Sequence, residues 1–472
     1  MPQKRDITVI GAGPAGAVTA ILLARLGYDV LMLFRARGRP RIEGLSQRVV
    51  EVLGVHGLDG SLSAVGPAVN RQAVWNGEAA ARNLEFATER NAFDAGLLRD
   101  AEANGVRCLE TTRVSLTGQT ETPLVRVTSA EGETLELSPR FVIEARGRSA
   151  PYGLTRPTVG AETTALTRRI GGQAHAPQTM VESFADGWAW YVCDGAQAFL
   201  QIFVDSAGGL PKRAALAALF DAHAETLVQI SAAIAPGKPV GPVTTRNAAP
   251  RMASSILTGS TIRVGDAASA PDPLSGNGVF AALGSGLSAV AVVNTIIETP
   301  ENRALAQRFY EERTQDGFLR FARVGRSFYA MEKRWSTRPF WRARANWPDQ
   351  EPPHVPAGSG KLRIERRPVV DGGLIVERKV VVTPDQPRGI WRVDSVPLAE
   401  LIEHLHESEG EPIAERAPLL ANRMGIGNGK LAVALDWLRS RRVLAAGESV
   451  AIEPASIDLD SIELKGEKGA NH

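Results

Sequence analysis

The chain has 472 residues, of which 44% are hydrophobic and 22% charged, and its formal net charge is +2. This length predicts two or three domains, and the near-neutral charge excludes bulk attraction to nucleic acid or acidic membranes. The only cysteines are Cys108 and Cys193, which excludes a disulfide framework and favours a cytoplasmic enzyme. We expect no signal peptide and no stretch that is apolar enough to span a bilayer.

The N-terminal segment has the pattern of a dinucleotide-binding βαβ unit. An apolar strand and a glycine-rich turn occupy residues 7–16, a helical stretch follows, and a second strand is expected at residues 28–33. Gly11 permits the tight turn, Gly13 lets the backbone approach a pyrophosphate, and Gly16 allows close helix–strand packing. The helix N-terminus directs free N–H groups at the phosphates. The predicted cofactor-binding residues here are Gly11, Gly13, Pro14, Ala15 and Gly16.

The second strand ends in Phe34, where such units usually carry an acid that binds the adenosine ribose. A phenylalanine side chain accepts no hydrogen bond from a ribose hydroxyl. Arg35 or Arg37 is left to stack on the dinucleotide or to reach a phosphate. We therefore expect looser retention of the dinucleotide than usual.

Three later segments continue the same kind of fold. Residues 90–101 place apolar side chains at helical spacing ahead of a strand, and residues 141–149 read as a buried strand that enters a glycine turn. Residues 262–287 contain a strand, the pair Gly265 and Asp266, a P-x-x-G-x-G loop and a helix of small residues.

Together these segments resemble the flavin motifs of group A flavoprotein monooxygenases and flavin-dependent halogenases. The resemblance implies FAD as cofactor, with Arg90 beside the flavin phosphates, Asp266 on the ribityl chain and the loop at residues 273–278 against the flavin ring. A helix N-terminus at that ring would stabilise the charge of the reduced flavin. Residues 42–48 resemble a further family segment near the flavin. The cofactor-binding residues added in this way are Arg35, Glu43, Arg48, Arg90, Gly265, Asp266, Gly276, Asn277 and Gly278.

Alternating patterns between the flavin segments predict a sheet that forms one wall of a substrate cavity. Its strands are expected at residues 72–75, 188–192 and 199–204. Residues 187–192 resemble the W-x-W-x-I-P motif of tryptophan halogenases, with Val192 and Cys193 where that motif has Ile-Pro. Trp188 and Trp190 share one strand face. They either pack on the next layer or stack on an aromatic substrate.

Oxygenation is favoured over halogenation. Halogenases need a lysine between flavin and substrate, and residues 69–77, the corresponding region, contain none. In the oxygenases that the chain resembles, reduced flavin adds O₂ at C4a and the hydroperoxide transfers oxygen to an electron-rich ring. The protein shields the hydroperoxide and orients the ring, so no acid–base pair is assigned. The candidates for lining the flavin and substrate cavity are Pro273, Gly276, Gly278, Trp188 and Trp190.

The last part of the chain departs from that family. Residues 302–347 are rich in arginine and aromatic residues and predict two helices that clamp the flavin domain, and residues 348–360 read as a linker. Beyond it, strands are expected at residues 374–376 and 380–382, helices at 398–406, 413–424 and 430–439, and a closing strand at 443–444. This order is similar to the small peptide-binding domains of enzymes that modify ribosomal peptides.

The predicted fold class is α/β: an FAD-binding Rossmann-like (GR2-type) domain, an inserted β-sheet substrate domain and a small winged-helix-like C-terminal domain. The predicted boundaries are residues 1–70, 82–160 and 255–300 for the FAD-binding domain, 71–81 and 161–254 for the substrate domain, 301–347 for the helical clamp, 361–456 for the C-terminal docking domain and 457–472 for a disordered tail.

A docking domain beside an aromatic cavity wall favours a protein or peptide substrate. The chain resembles the flavoprotein monooxygenases that mature peptidyl tryptophan into a quinone cofactor, in particular the cysteine tryptophylquinone of quinohemoprotein amine dehydrogenase. The resemblance implies hydroxylation, with two oxygen atoms added, of a tryptophan in a cytoplasmic precursor. The expected partners are that protein or peptide, O₂, and NAD(P)H or a separate flavin reductase as electron source, without nucleic acid, membrane or metal.

Two alternatives stay open. An FAD-dependent hydroxylase or halogenase of a small indole, phenol or pyrrole would have a closed pocket for the free ligand. A non-enzymatic flavin-binding regulator would bind DNA with a steep salt dependence. The DNA-binding alternative would use Arg439, Arg441 and Arg442. It is the weaker one, because many glutamates in the same region oppose phosphate contact.

Overall fold

The computed structural model describes residues 3–36, 38, 40–117, 122–151, 157–172, 176–235, 237–358, 362–407 and 413–444. The chain forms two compact units. Unit 1 comprises Met1–Glu298 and Tyr310–Pro353, and unit 2 comprises Thr299–Phe309 and His354–His472. Arg37 and the predicted tail at residues 457–472 lie outside the described residues.

The elements of unit 1 follow the predicted order of strands and helices. Its strands are β1 (Gln3–Ile10), β2 (Val30–Phe34), β3 (Ile42–Ser46), β4 (Ala68–Trp75), β5 (Glu78–Glu89), β6 (Arg107–Thr117), β7 (Leu124–Ser129), β8 (Thr134–Glu144), β9 (Thr158–Val159), β10 (Thr163–Gly171), β11 (Gln178–Phe184), β12 (Gly187–Cys193), β13 (Ala198–Asp205), β14 (Lys238–Asn247), β15 (Arg251–Met252), β16 (Leu257–Thr258), β17 (Thr261–Arg263) and β18 (Ser269–Ala270). Its helices are α1 (Pro14–Arg25), α2 (Gln47–Val55), α3 (Asp59–Leu62), α4 (Arg90–Ala103), α5 (Arg213–Glu225), α6 (Val228–Ile234), α7 (Gly278–Glu298), α8 (Arg303–Met331, in this unit from Tyr310 onward) and α9 (Pro339–Ala345).

A seven-stranded sheet carries the predicted dinucleotide-binding unit. β1 pairs in parallel with β2 and β8, β2 pairs in parallel with β6, and β8 pairs in parallel with β17. The antiparallel strand β7 joins β6 to β8, and β16 lies at the far edge. The register sets Ile10 beside Glu144. The carboxyl ends of β1 and β8 therefore meet, which is where open α/β sheets bind ligands.

Helices α1 and α7 pack together through small residues. A Cβ on Gly286 would lie 2.6 Å from Cγ1 of Val18 and 2.7 Å from the carbonyl oxygen of Ala15, so glycine is needed for this close approach. By length and composition alone α7 is apolar enough to cross a membrane, with a mean hydropathy of 1.8, and half of that stretch is buried inside the protein. The expectation that no stretch passes this test is wrong, because a core helix packed through glycine and alanine has few polar residues.

An eight-stranded sheet, here called the substrate sheet, has the order β14-β10-β13-β12-β11-β4-β5-β3. The three predicted strands at residues 72–75, 188–192 and 199–204 lie in β4, β12 and β13. The domain boundaries stay a prediction, and of the residues that they assign to the FAD-binding domain, 42–46 and most of β5 are strands of the substrate sheet. β3 joins the substrate sheet by pairing with β5, for example Leu45 with Phe86. The paired residues are about 40 positions apart in the sequence, and the alternating pattern of a strand does not show which distant strand it pairs with.

The two faces of the substrate sheet bury different side chains. One face packs under α5 and α6, with Tyr191 and Phe220 in its core. The other face, here called the inner face, packs Trp188 against Tyr329, Phe340 and other aromatic side chains of α8 and α9. These two helices match the pair predicted within residues 302–347.

Unit 2 places a small antiparallel sheet ahead of a helical bundle. Its elements are β19 (Arg363–Asp371), β20 (Leu374–Thr383), β21 (Gln386–Ile390), β22 (Arg392–Val393), β23 (Val396–Pro397), α10 (Leu398–Glu407), α11 (Ile413–Arg423) and α12 (Asn428–Ser440). The two predicted strands at residues 374–376 and 380–382 form the single strand β20. At the predicted closing strand, Leu444 forms a β-bridge, and Val443 and Leu444 pack in the cluster with Leu401 and Leu435.

Candidate functional site

The three glycines of the first turn differ in backbone conformation and in what surrounds them. Gly11 has a φ of +114°, and a Cβ there would overlap the carbonyl oxygen of Ala145. A Cβ on Gly16 would overlap the carbonyl oxygen of Gly11. Gly13 lies on the open side, where the nearest group to a Cβ would be Nη2 of Arg90 at 3.8 Å. The turn therefore leaves room for a ligand beside Gly13.

The start of α1 is suited to bind an anion. Pro14 occupies its first turn, where the missing N–H costs nothing, and Ala15 follows as a buried helical residue. None of the described side chains caps the N-terminus of this helix. Its free N–H groups and the positive end of the helix dipole therefore favour a phosphate.

Arg90, the first residue of α4, supplies a cation beside Gly13. Its side chain is buried, its Nε donates to Oδ1 of Asp94 at 2.8 Å, and its Nη1 lies 3.3 Å from Oε1 of Glu43. Burial alone would lower the pKa of Arg90, but the carboxylates of Asp94 and Glu43 hold this pKa above its ordinary value. The guanidinium therefore stays charged, and Glu43 contributes to this site by positioning it.

Gly265 and Asp266 form a short 3-10 turn after β17. Gly265 has a φ of +56°, and a Cβ there would lie 2.8 Å from Cβ of Ala15, so this turn lies against the start of α1. Oδ2 of Asp266 is 3.5 Å from Nε of Arg148. Burial raises the pKa of Asp266, while Arg148 and Arg90 act in the opposite direction. The structure thus brings Asp266 to the same sheet end as the glycine turn.

The loop before α7 is built on a second 3-10 turn, Pro273–Ser275. Gly276 closes it with a φ of +64°, and Asn277 and Gly278 lead into α7. Nη2 of Arg48 donates to Oδ1 of Asn277 at 2.8 Å, and its guanidinium lies 4.5 Å from the centre of the Phe280 ring. Arg48 therefore lies at the start of α7, while Glu43 lies with Arg90.

A buried hydrogen-bonded chain, which the sequence did not indicate, supports this loop. Oδ1 of Asp272 accepts from the backbone N–H of Leu274 at 2.9 Å and caps the 3-10 turn. The hydroxyl of Tyr329 donates to the Asp272 carboxylate at 3.2 Å and accepts from Nε1 of Trp188 at 3.2 Å. Burial raises the pKa of Asp272, against these hydrogen bonds from Leu274 and Tyr329. No local pattern marks the pair, since Asp272 and Tyr329 are 57 residues apart.

The two predicted cavity tryptophans differ in environment. Trp188 is 2% exposed and stacks on Phe203 with ring centres 3.8 Å apart. This environment supports the packing alternative for Trp188. Trp190 is partly exposed on the same face, beside Phe199 and Val192.

The end of β2 is the place predicted for the adenosine ribose of the dinucleotide. Phe34 ends β2 and is partly buried, and Arg35 after it is exposed. Within the described residues, no group of three or more His, Cys, Asp or Glu side chains is arranged to hold a metal ion.

Comparison with known proteins adds independent findings. A family model described as FAD binding domain matches residues 4–313. A tryptophan 2-halogenase from Chondromyces crocatus is 27% identical over 372 residues, which are 73% of this chain and 71% of that protein. A digeranylgeranylglycerophospholipid reductase from Methanopyrus kandleri is 28% identical over 341 residues, which are 66% of this chain and 86% of that protein.

Two solved structures are similar over much of the chain. One is the peptidyl tryptophan dihydroxylase QhpG, essential for tryptophylquinone cofactor biogenesis. It is 38% identical with a TM-score of 0.79, and the match covers 93% of this chain and 99% of that one. The other is the myxobacterial chondrochloren halogenase CndH, an FAD-dependent enzyme. It is 25% identical with a TM-score of 0.65, over 73% of this chain and 86% of that one.

Proposed function

The chain belongs to the FAD-binding domain family, and on that premise we propose that it hydroxylates, twice, a tryptophan side chain of a protein or peptide in tryptophylquinone biogenesis. It is an FAD-dependent oxidoreductase of the flavin monooxygenase and halogenase group. The observation that carries the proposal is the 38% identity with the peptidyl tryptophan dihydroxylase over nearly the whole of both chains. The halogenase similarities are weaker and cover 73% of this chain.

The residues at the carboxyl ends of β1, β8 and β17 fit the cofactor FAD. The open space beside Gly13 and the free start of α1 would hold the pyrophosphate, and the buried guanidinium of Arg90 would neutralise it. The carboxylate of Asp266 would accept hydrogen bonds from the ribityl chain. The backbone N–H groups of residues 276–278, at the start of α7, would face the flavin ring. Phe34 offers the adenosine ribose no acceptor, so loose retention of FAD stays a prediction.

The bound flavin, once reduced, supplies the activation of O₂ for oxygen transfer to an aromatic ring. This chain contributes shielding and orientation. Around Trp190, the inner face of the substrate sheet carries the apolar cluster Ile42, Ala87, Val192 and Phe199. This cluster would exclude water from the reacting centre, and Trp190, which is partly exposed beside it, would offer an aromatic surface to an indole ring.

We assign substrate docking to unit 2. It has an apolar core of its own, and a small sheet precedes three helices in it, which is the order from which we infer a winged-helix-like docking domain. Arg439 and Arg441 pair with Asp436 and Asp385 at 2.9 Å each. These arginines are therefore already neutralised, which favours peptide docking over DNA binding.

We propose that electrons reach the flavin from NAD(P)H or from a separate flavin reductase. The target tryptophan belongs to a precursor protein that is modified in the cytoplasm.

A single-turnover reaction tests the proposal. The reduced enzyme is mixed with O₂ and the polypeptide encoded beside its gene, and mass spectrometry follows the polypeptide. We expect a gain of two oxygen atoms on one tryptophan and no gain when that tryptophan is replaced by phenylalanine. An unmodified polypeptide, together with hydroxylated or halogenated free indole, phenol or pyrrole, would favour the small-molecule alternative.

A further inference from the structure

The inner face of the substrate sheet holds a cation, Arg71, opposite a β-bulge. In the pairing of β4 with β5, Asn70 lies opposite Leu84 but Gln72 lies opposite Ala81, so Arg71 faces two residues of β5 and the extra residue is in β5. On its other side β4 keeps a regular parallel register with β11, in which Arg71 lies opposite Thr179. Arg71 therefore keeps the direction that a regular strand gives it, on the same face as Ala73 and Trp75. Bulges are common next to active sites.

The guanidinium of Arg71 reaches the loop that leads into α7. A Cβ built on Gly276 would lie 3.2 Å from Nη1 of Arg71. Gly276 itself has a φ of +64°, a conformation that favours glycine. The absence of a side chain at Gly276 thus leaves the cation directly against the loop backbone.

The guanidinium of Arg71 has no partner among the described residues. Arg71 is half-buried, and across the part of the chain that the structure describes it makes no hydrogen bond or ion pair. The nearby loop groups already have partners, since Asp272 accepts from Tyr329 and Leu274, and Asn277 accepts from Arg48. A partly desolvated charge without a partner is unfavourable. An anionic partner at this loop would relieve that cost.

We propose that Arg71 is a catalytic residue that stabilises the negative charge which FAD gains on reduction. A hydride donor of the nicotinamide or reduced-flavin class delivers two electrons and one proton to the flavin and is itself oxidised. One negative charge is left on the flavin. Arg71, at Gly276, and the positive end of α7, at Gly278, would both stabilise that charge. The inference rests on FAD binding alone, so it holds whichever aromatic substrate is oxidised.

The test measures how tightly the wild-type protein and the Arg71→Met variant each bind oxidised FAD and reduced FAD. We expect R71M to bind reduced FAD about tenfold more weakly and oxidised FAD within about twofold of the wild type. For a two-electron couple, a tenfold change in this ratio lowers the midpoint potential of bound FAD by about 30 mV. Equilibration with reference dyes measures that potential.

Two variants serve as controls. R71K keeps a positive charge, so the midpoint potential of bound FAD in this variant should lie close to that of the wild type. Arg169→Met removes an exposed arginine from β10 of the same sheet and should change neither affinity. Equal weakening of both flavin forms by R71M, or no change in either, overturns the proposal. If R71M does not fold by circular dichroism, Arg71→Gln provides the neutral side chain for the same comparison.

Discussion

Replacing Tyr329 with phenylalanine removes one hydroxyl from the buried chain that links Trp188 to Asp272. That hydroxyl donates to a buried carboxylate, and a hydrogen bond to a charged group contributes about 1.5–3 kcal/mol. Its loss also leaves Nε1 of Trp188 without its acceptor, at a cost of about 1 kcal/mol or more. The edge-on contacts of the ring with Phe340 and Trp341 are kept. We therefore expect Y329F to lower the free energy of unfolding of unit 1 by about 2–4 kcal/mol.

Guanidinium chloride unfolding followed by tryptophan fluorescence measures this change. The matched control is Tyr28→Phe, whose hydroxyl donates to Asn294 and Glu298 at a more exposed position and should contribute about 0.5–1 kcal/mol. Y329F should also weaken FAD binding, because Asp272 caps the turn before α7. The reasoning is refuted if Y329F destabilises the protein no more than Y28F does.

Three further predictions follow from single sites. Gly13→Ala should fold normally but bind FAD about tenfold more weakly or worse, since a steric conflict with the ligand costs about 1–3 kcal/mol. The control is Gly54→Ala, which has open space around it and should leave the FAD affinity measured by titration unchanged. Burial raises the pKa of Asp272, so its contribution to stability is present at low pH and is lost as the pH rises from about 4 through the raised value. Urea unfolding across that range measures the free energy of unfolding of the wild type and of Asp272→Asn. We expect the stability of the variant to rise relative to that of the wild type as the pH rises. A difference between the two that does not change with pH would contradict this. Burial also raises the pKa of Cys108 to about 11, so native Cys108 should be alkylated at pH 8 far more slowly than in the unfolded chain, as peptide mass spectrometry would show.

Local sequence patterns predicted those parts of the fold in which neighbouring residues determine the conformation. The turn at Gly11 and the helix that begins at Arg90 are of this kind, because glycine spacing and apolar periodicity act within a few residues. The hydropathy of α7 was misjudged, since burial against α1 removes the need for polar residues.

Contacts between distant segments could not be read in the same way. The pairing of β3 with β5 and the bond from Tyr329 to Asp272 join segments that are about 40 and 57 residues apart. The bulge of β5 opposite Arg71 depends on how β4 meets β5, so it has no sequence signature of its own. Trp188 and Trp190 could be placed on one face, but their different burial depends on Phe203 and on α8.

The most direct test of the proposed function is to trace oxygen into the protein substrate. The reduced enzyme, ¹⁸O₂ and the polypeptide encoded beside the gene are combined, and the digested polypeptide is sequenced by mass spectrometry. The account predicts two ¹⁸O atoms on the ring of one tryptophan residue. A tryptophan that carries no ¹⁸O, or that carries halogen instead, would contradict it.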